Sequence, residues 1–328
     1  MARLITLTTD FGHKGPFVGV MKGAILRLLP EAVIVDLSHE IPAHWPIEAG
    51  FWVARSYAYF PAGTLHVAVV DPGVGTRRNI IAGEYDGHLF LAPDNGLLQP
   101  LLSRPGARCH RLAEDWRARQ DWPVPSNTFH GRDIFAPLAA GLAAGRFGIA
   151  DIGPPAGELV PSLLEDPLCG EHEIRGTVIA IDTFGNLISN IEAGLLARLR
   201  KAEVLAGGRR MQLCRTYGEA RPGEFLALVN SFNVLAIARA EGNAAEGLGL
   251  GRGAPVIDAR IKHAGPMGHS YFHANPAVSS DLMLLMRYHI LPGAEYGRPL
   301  GTSDDGLWLI GDGYPGSNWK PPASLRNK

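Results

Sequence analysis

The hydrophobic positions in the first half of the chain alternate between two spacings. Short apolar runs at residues 3–8, 33–37 and 65–70 predict strands, whereas apolar residues at helical spacing predict helices over 16–29 and 46–59. The resulting β-α-β-α-β order is typical of a parallel sheet with helices on its faces.

Further along, residues 80–92 predict a hairpin that turns at Asp86 and Gly87, residues 104–128 are polar and irregular, and residues 134–144 predict an Ala-rich helix. We therefore predict an N-terminal α/β domain over residues 1–155, with a mostly parallel sheet and helices on both faces.

The pattern changes after a segment rich in Gly and Pro at residues 153–157. From there on, apolar runs are short and are separated by Gly and Asn turns, which predicts strands without helices. The predicted strands cover residues 173–182, 187–191, 225–229, 234–238 and 256–261. We predict a smaller, all-β C-terminal domain over residues 170–262.

Composition narrows the classes of function. The formal net charge is −1 over 328 residues, so there is no overall electrostatic reason to expect nucleic acid or an anionic membrane as a partner. No apolar run is long enough to span a bilayer, and a strand begins at once, which leaves no room for a signal peptide. The three cysteines are scattered without CxxC spacing, so we expect neither disulfides nor a zinc site, and a cytoplasmic location.

Candidate chemistry lies where the predicted strands end. Asp10, Asp36 and Asp71 each stand at or just past the end of a strand, and ligands of open α/β sheets bind at the carboxyl ends of strands. Asp71 is followed by a glycine turn and by arginines, with Arg78 at the better spacing. Because Asp before Pro and Gly is a common turn residue, this stretch alone favours a turn, and it is the three carboxylates at strand ends that favour a site.

Other polar residues stand next to predicted elements. His130 precedes an Ala-rich helix, where a catalytic His would fit, although a single His before a helix more often makes a structural hydrogen bond. Carboxylates together with a His also allow a metal phosphoesterase site. In the second domain, polar turns at residues 182–186, 230–231 and 242–245 are consistent with turn chemistry alone. Phe184 stands out among them, because an aromatic ring in a polar turn often stacks on a flat ligand.

Seven stretches, in order, resemble the S-adenosylmethionine hydroxide adenosyltransferase family, the SAM hydrolases related to fluorinase and chlorinase. They are TTDFG (8–12), VDLSHEI (35–41), VVDPGVGT with its Arg (69–78), APDNGLL (92–98), FHGRD (129–133), IDTFGNLISNI (181–191) and GNAA (242–245). The resemblance ends near residue 261. Residues 263–328 are thus an extension that is atypical of the family, for which we predict a helix over 279–289 and no second activity.

The resemblance implies a barrel-like second domain and a homotrimer with each active site between two subunits. The reaction it implies is attack of water or hydroxide on the ribose C5′ of SAM, giving adenosine and L-methionine, with no metal and no cofactor. The residues implied to activate the water are Asp71, Arg78 and His130, with Arg77 as the alternative arginine. Either Asp71 or His130 could accept the proton, since such groups titrate as a unit.

The resemblance also implies the substrate contacts. Asp10 matches the carboxylate that holds the ribose hydroxyls, and Trp45 matches an aromatic residue packed on the substrate. Matches to methionine and adenine contacts, together with Ser231 from the neighbouring polar turn, give the remaining candidates: Asp182, Phe184, Asn186, Ser231, Asn243 and Ala244. The alternative function is a protein that senses or sequesters SAM with little or no turnover, for which the water-activating residues would be incidental.

Overall fold

The computed structural model describes residues 3–170, 173–197, 203–259, 301–302 and 308–309. The chain divides into two compact units, Met1–Glu165 and Asp166–Lys328, called here the first and the second unit. The first unit contains a six-stranded sheet and the second an eight-stranded one, so the protein is a mixed α/β protein with two sheets. The helix predicted over 279–289 lies outside the described residues.

In the first unit, the predicted order of strands and helices is confirmed over the first five elements. Helix α2 starts with Pro46, whose missing N–H is not needed in a first turn, and it continues as a 3-10 turn, Tyr57–Tyr59. The strands are β1 Leu4–Thr9, β2 Val33–Ser38, β3 Leu65–Val69, β4 Ile80–Tyr85, β5 His88–Pro93 and β6 Arg108–Arg111. The helices are α1 Phe17–Leu28, α2 Pro46–Ser56, α3 Gln99–Leu102, α4 Trp116–Arg119 and α5 Ala136–Ala143.

The strand order of this sheet is β2-β1-β3-β5-β4-β6. The pairs β1–β2, β1–β3 and β3–β5 are parallel, whereas β4 is antiparallel to both β5 and β6. The hairpin between β4 and β5 turns at Asp86 and Gly87, as predicted, and both residues have positive φ. The parallel strands therefore deliver the residues after β1 and β3 to the same edge of the sheet.

Alternate residues of β3 belong to different parts of the core, as the period of a strand requires. Leu65, Val67 and Val69 lie in one buried cluster with residues of α1 and α5. Ala68 lies in another cluster with residues of α2 and α3. Because β3 is buried on both sides, its sequence reads as a nearly continuous apolar run.

Three details differ from the sequence-based expectations. Residues 104–128, expected to be irregular, contain β6 and α4. Asp36 lies inside β2, in register with Leu7, rather than at the strand's end. The helix expected from residue 134 begins earlier, because a π-helical turn, Gly131–Phe135, leads directly into α5.

In the second unit, the strand order is β14-β10-β11-β12-β13-β9-β8-β7, and β14 also pairs with β8, so the sheet curls. All pairs are antiparallel except β11–β12. The strands are β7 Leu168–Cys169, β8 Glu173–Ile181, β9 Leu187–Glu192, β10 Glu203–Ala206, β11 Arg209–Cys214, β12 Phe225–Val229, β13 Val234–Arg239 and β14 Pro255–Ala259. Two short helices, α6 Ala193–Leu196 and α7 Ala244–Leu248, a 3-10 turn, Tyr217–Glu219, and a strand pair, β15 Gly301–Thr302 with β16 Trp308–Leu309, complete the described elements of this unit.

Strands β7, β10 and β11 were not among the predicted strands. Only Met211 of β11 is buried, so this strand has no run of buried apolar residues by which sequence could identify it. None of the helices in the described ranges is long and apolar enough to cross a membrane.

Candidate active site

Asp71 stands just past β3, and the chain after it folds back on itself. The side-chain amide of Asn95 donates to the carbonyl of Val70 at 2.8 Å and so fixes the exit of the strand. The backbone N–H of Val74 then donates to the Asp71 carbonyl at 3.2 Å, which closes a turn. Because of this turn, the side chain of Arg78 returns to that of Asp71.

Arg78 contacts both other members of the predicted trio. Its Nε lies 2.9 and 2.8 Å from the two carboxylate oxygens of Asp71, and its Nη2 also donates to Asp71 Oδ2. The same Nη2 lies 2.9 Å from Nδ1 of His130. The side chains of Asp71 and Arg78 are only 5% and 12% exposed, so this ion pair is largely desolvated. Arg77, the alternative arginine, is exposed.

His130 reaches this cluster because two loops lie against each other. Gly75 has φ +79°, and a Cβ built on it would lie 2.3 Å from the carbonyl oxygen of Asn127. The loop before His130 is held in turn by the Asp133 carboxylate, which accepts from the backbone N–H of Ser126 at 2.9 Å. The close approach at Gly75 thus places the loop that carries Arg78 beside the loop that carries His130.

The contact with Arg78 determines the protonation of His130. A guanidinium can only donate hydrogen bonds, so Nδ1 of His130 must be the acceptor. Burial lowers the pKa of His130, and the positive charge of Arg78 lowers it further, although nearby carboxylates oppose the shift. The imidazole is therefore neutral near pH 7, and its proton is on Nε2, which is a hydrogen-bond donor.

Asp10 lies in the loop after β1. Its Oδ2 accepts from the backbone N–H of His44 at 3.0 Å. Burial raises the pKa of Asp10, the negative charge of Asp71 adds to the increase, and the hydrogen bond from His44 opposes it. Asp10 is therefore near enough to Asp71 to sense its charge. Trp45 follows His44 directly, immediately before α2, which places this aromatic residue beside the segment that holds Asp10.

In the second unit, the loop between β8 and β9 is organised by the side chain of Asp182. Its Oδ1 accepts from the backbone N–H groups of Phe184 and Asn186, both at 2.9 Å. Its Oδ2 accepts from the side-chain amide of Asn186 at 2.8 Å. These bonds leave Phe184 at the outside of the loop, where it is 75% exposed.

The turn before α7 lies against this loop. The backbone N–H of Ala245 donates to the carbonyl of Gly185 at 2.9 Å, and a Cβ on Gly185 would lie 2.1 Å from Asn243 Oδ1. The Asn243 side chain caps α7 by accepting from Glu246 N at 2.9 Å, and Ala244 is fully buried. The two turns thus bring together five predicted residues: Asp182, Phe184, Asn186, Asn243 and Ala244.

Ser231 is not brought to this group. Strand β13 pairs with β9 so that Ile237 is opposite Leu187, next to the 182–186 loop, whereas Val234 is opposite Glu192. Ser231 precedes Val234 and therefore lies at the other end of β13. It is exposed, in a turn where Asn230 Oδ1 accepts from Phe232 N at 2.9 Å.

The carboxylates of the first unit are already bound to protein groups. Asp71 accepts from Arg78, and Asp36 pairs instead with Lys22, with its Oδ1 3.0 Å from Nε2 of His39. Within the described ranges, no group of three or more His, Cys, Asp or Glu side chains is placed to hold a metal ion. The positions of these donors therefore do not favour the metal phosphoesterase alternative.

Two contributions to the site were not predicted from the sequence. Asn95 follows Pro93 and Asp94, and Asn in such a segment usually bonds its own backbone. The bond from its side chain to the carbonyl of Val70, just past the end of β3, joins residues 25 positions apart, and no sequence pattern predicts it. The second contribution is the backbone N–H of His44, which donates to Asp10. His44 has φ 63°, and the residue type does not predict this backbone conformation.

Two family models match this chain, one within each of its two units. The family models for the SAM hydroxide adenosyltransferase N-terminal and C-terminal domains match residues 5–153 and 176–257. An (R)-S-adenosyl-L-methionine hydrolase of Thermus thermophilus is 37% identical over 261 residues, which cover 77% of this chain and 98% of the relative. A fluorinase of Nocardia brasiliensis is 27% identical over 276 residues, covering 72% of this chain and 90% of that enzyme.

Among solved structures, that of an uncharacterized conserved protein from Thermotoga maritima is similar, with a TM-score of 0.72 and 31% sequence identity. The similarity covers 78% of this chain and 100% of that protein. The expected resemblance is confirmed: this chain belongs to the SAM hydroxide adenosyltransferase family.

Proposed function

We propose that this protein hydrolyses S-adenosyl-L-methionine to adenosine and L-methionine. The observation that carries the proposal is the contact of one guanidinium, that of Arg78, with both the Asp71 carboxylate and Nδ1 of His130. Family membership and the name of the Thermus thermophilus relative support the same reaction.

The chemistry requires little acid catalysis. The sulfonium group leaves C5′ as a neutral thioether, so the protein must mainly supply an oriented and desolvated oxygen nucleophile. In the proposed reaction the oxygen of water forms a bond to C5′, the C5′–S bond breaks, and its electron pair stays on sulfur. The water loses one proton, which must have an acceptor.

We assign that acceptor to Asp71. His130 Nδ1 is engaged by Arg78 and its Nε2 carries a proton, so neither nitrogen of the neutral ring accepts. Each Asp71 oxygen keeps lone-pair capacity beyond its bonds to Arg78. Arg78 then favours the hydroxide form by its charge, and Nε2–H of His130 orients the oxygen.

The same residues disfavour transfer of a halide. The carboxylate of Asp71 would repel a halide ion, and Gly131, next to His130, has no side-chain donor to hold one. A Cβ at Gly131 would lie 3.1 Å from Phe11 and 3.2 Å from Phe129, so a larger residue there would have to displace an aromatic ring.

The proposal extends to the substrate contacts. Asp10 holds the ribose hydroxyls, and Trp45 packs on the substrate. The exposed ring of Phe184 stacks on it, supported by the hydrogen-bonded loop that carries it. The remaining proposed contacts are Asp182, Asn186, Asn243 and Ala244, with Ser231 as a candidate from a different turn.

We also propose the architecture that the family implies. It comprises an α/β domain over residues 1–155 with helices on both sheet faces, a barrel-like domain over 170–262, an extension over 263–328, and a homotrimer with shared active sites. The two core clusters of the first sheet and the limits of the two family matches support the domain part. The absence of a cofactor and a cytoplasmic location stay predictions.

The experiment is incubation of the purified protein with SAM in ¹⁸O-labelled water. We expect adenosine and methionine in equimolar amounts, with the label in the 5′-hydroxyl of adenosine. Asp71→Asn, which keeps the shape but removes the charge, should lower kcat at least about 100-fold.

Asp115→Asn serves as the matched control, since Asp115 is an exposed carboxylate that pairs only with Arg119 among the described residues. Its turnover should equal that of the wild type. Formation of methylthioadenosine alone, at the rate seen in buffer, would contradict the proposal. Calorimetric binding of SAM without product would instead establish a SAM-binding protein without turnover.

A further inference from the structure

Asp10, the proposed ribose-binding residue, lies in a short loop that is held from both sides by one buried histidine. His39 is 1% exposed, and its Nδ1 lies 2.8 Å from the hydroxyl of Thr9. Its backbone carbonyl accepts from the N–H of Gly12 at 2.8 Å. The side chain and the backbone of His39 thus fix the residues that flank Asp10.

The hydroxyl of Thr9 connects the ring of His39 to the backbone of the loop. Thr9 is fully buried, and its Oγ1 accepts from the backbone N–H of Phe11 at 3.2 Å. The loop therefore turns around Asp10 through a side-chain bond, while the Asp10 carboxylate itself accepts from His44 N.

Asp36 orients the ring of His39. Its Oδ1 lies 3.0 Å from Nε2 of His39, so the ring lies between the Asp36 carboxylate and the Thr9 hydroxyl. Partial burial opposes ionisation of Asp36, but hydrogen bonds from Lys22 and His39 outweigh it and lower the pKa of this carboxyl.

We propose that His39 is a positioning residue for substrate binding, oriented by Asp36 and acting through Thr9 on the ribose-binding carboxylate of Asp10. This inference rests on the proposed function, because it needs Asp10 to contact SAM. It adds residues that make no contact with the substrate themselves, and it gives a supporting role to Asp36, which lies inside its strand rather than at its end.

The test is a double-mutant cycle with steady-state kinetics of SAM hydrolysis. His39→Leu, which removes both ring nitrogens, should raise KM about tenfold and leave kcat within about twofold, because a small displacement of a binding group weakens binding more than it alters the water-activating cluster. His39→Asn, whose side-chain amide can replace Nδ1 as the hydrogen-bond partner of Thr9, should recover part of the KM.

The cycle distinguishes positioning from general destabilisation. In an Asp10→Ala background, His39→Leu should have almost no further effect on KM, because the group that it positions is gone. Thr9→Val, which removes only the hydroxyl, should reproduce the KM increase and covers the case in which His39→Leu does not fold.

The chain supplies a matched control on the same strand. Thr6 Oγ1 lies 2.8 Å from Nδ1 of His66, the same kind of buried pair, but it is remote from Asp10 along β1. Thr6→Val should leave KM unchanged. Additive effects of His39→Leu and Asp10→Ala, or an unchanged KM in both His39→Leu and Thr9→Val, would overturn the inference. If the wild type makes no adenosine, it is the proposed function that fails.

Discussion

The two polar regions proposed to bind and transform the substrate are built in opposite ways. In the first unit, Asp71, Arg78 and His130 meet through their side chains, although His130 lies 52 residues after Arg78. In the second unit, the side chain of Asp182 shapes its loop through bonds to residues no more than four positions away, up to Asn186. One backbone bond, from Ala245 N to the carbonyl of Gly185, joins this loop to the turn before α7. The first region thus depends on side chains from two distant loops, whereas the second has a locally shaped loop that contacts a distant turn through the backbone.

The difference in exposure matches the difference in construction. The ion pair of the first region is nearly buried, and its charges interact strongly because little water screens them. Phe184 in the second region is 75% exposed and thus available to a ligand. Long-range assembly suits a cluster that must exclude water, and a locally fixed loop suits a surface that must receive the substrate.

The largest effect is expected in the first region, when the loop that carries Arg78 is separated from the loop that carries His130. Gly75→Ala places a Cβ within 2.3 Å of the Asn127 carbonyl, so one loop must move and carry Arg78 away from His130. We expect kcat to fall about 100-fold, as for a displacement of about 1 Å in a catalytic group.

Gly63→Ala is the control for Gly75→Ala. Gly63 also has positive φ, +86°, but its Cβ would meet nothing within 4 Å. This variant should lose only about 1–2 kcal/mol of stability, from the backbone conformation, and keep its kcat. Equal kcat values for the two variants, measured with SAM and accompanied by thermal unfolding, would show that the loop contact does not matter.

A smaller effect is expected when the second region is loosened. Asp182→Ala removes the acceptor of two backbone N–H groups, so the loop that carries Phe184 becomes less ordered. We expect KM for SAM to rise about tenfold with little change in kcat, since ordering the loop would then oppose binding.

Asn230→Ala makes the corresponding change in the turn that holds Ser231, at the other end of β13. An unchanged KM in this variant would exclude Ser231 from the binding surface. A rise equal to that of Asp182→Ala would instead require both ends of the strand to reach substrate.

The last prediction concerns the free energy of unfolding in acid. We expect it to decrease because of a buried histidine in the first unit. Burial lowers the pKa of His66 from its usual 6.5 to about 3. Between these pH values the unfolded chain binds a proton that the folded chain does not. Stability should therefore be complete above pH 6.5 and fall as the pH decreases, by up to about 1.4 kcal/mol per pH unit.

Urea unfolding at pH 7.5, 6 and 5 measures this slope. His66→Leu should reduce it, whereas His13→Gln, a change at an exposed histidine, should leave it unchanged. A slope that is the same in all three proteins would show that His66 is not responsible.

Sequence predicted the elements whose signals are local. The apolar run at residues 65–70 predicted β3, and Asp86 with Gly87 predicted the hairpin of β4 and β5. The position of β5 between β3 and β4 follows from pairing in the folded sheet and has no local signal. Strand β11 was missed because its residues are mostly exposed.

The same limit applies to the site. The turn residues around Asp182 are recognisable from type and spacing alone, whereas the role of Gly75 depends on Asn127, a residue in another loop. His39 was not among the site residues predicted from the sequence, because its ring acts through Thr9, which lies 30 positions earlier.

The π-helical turn at Gly131–Phe135 makes the chain length between His130 and α5 critical. Such a turn is an α-helical turn with one residue inserted, so a single deletion there would restore a regular helix without removing any apolar contact of α5. The deletion would rotate His130 about 100° around the helix axis and turn its ring from Arg78. The reaction therefore depends on the count of residues in this segment as well as on their identity.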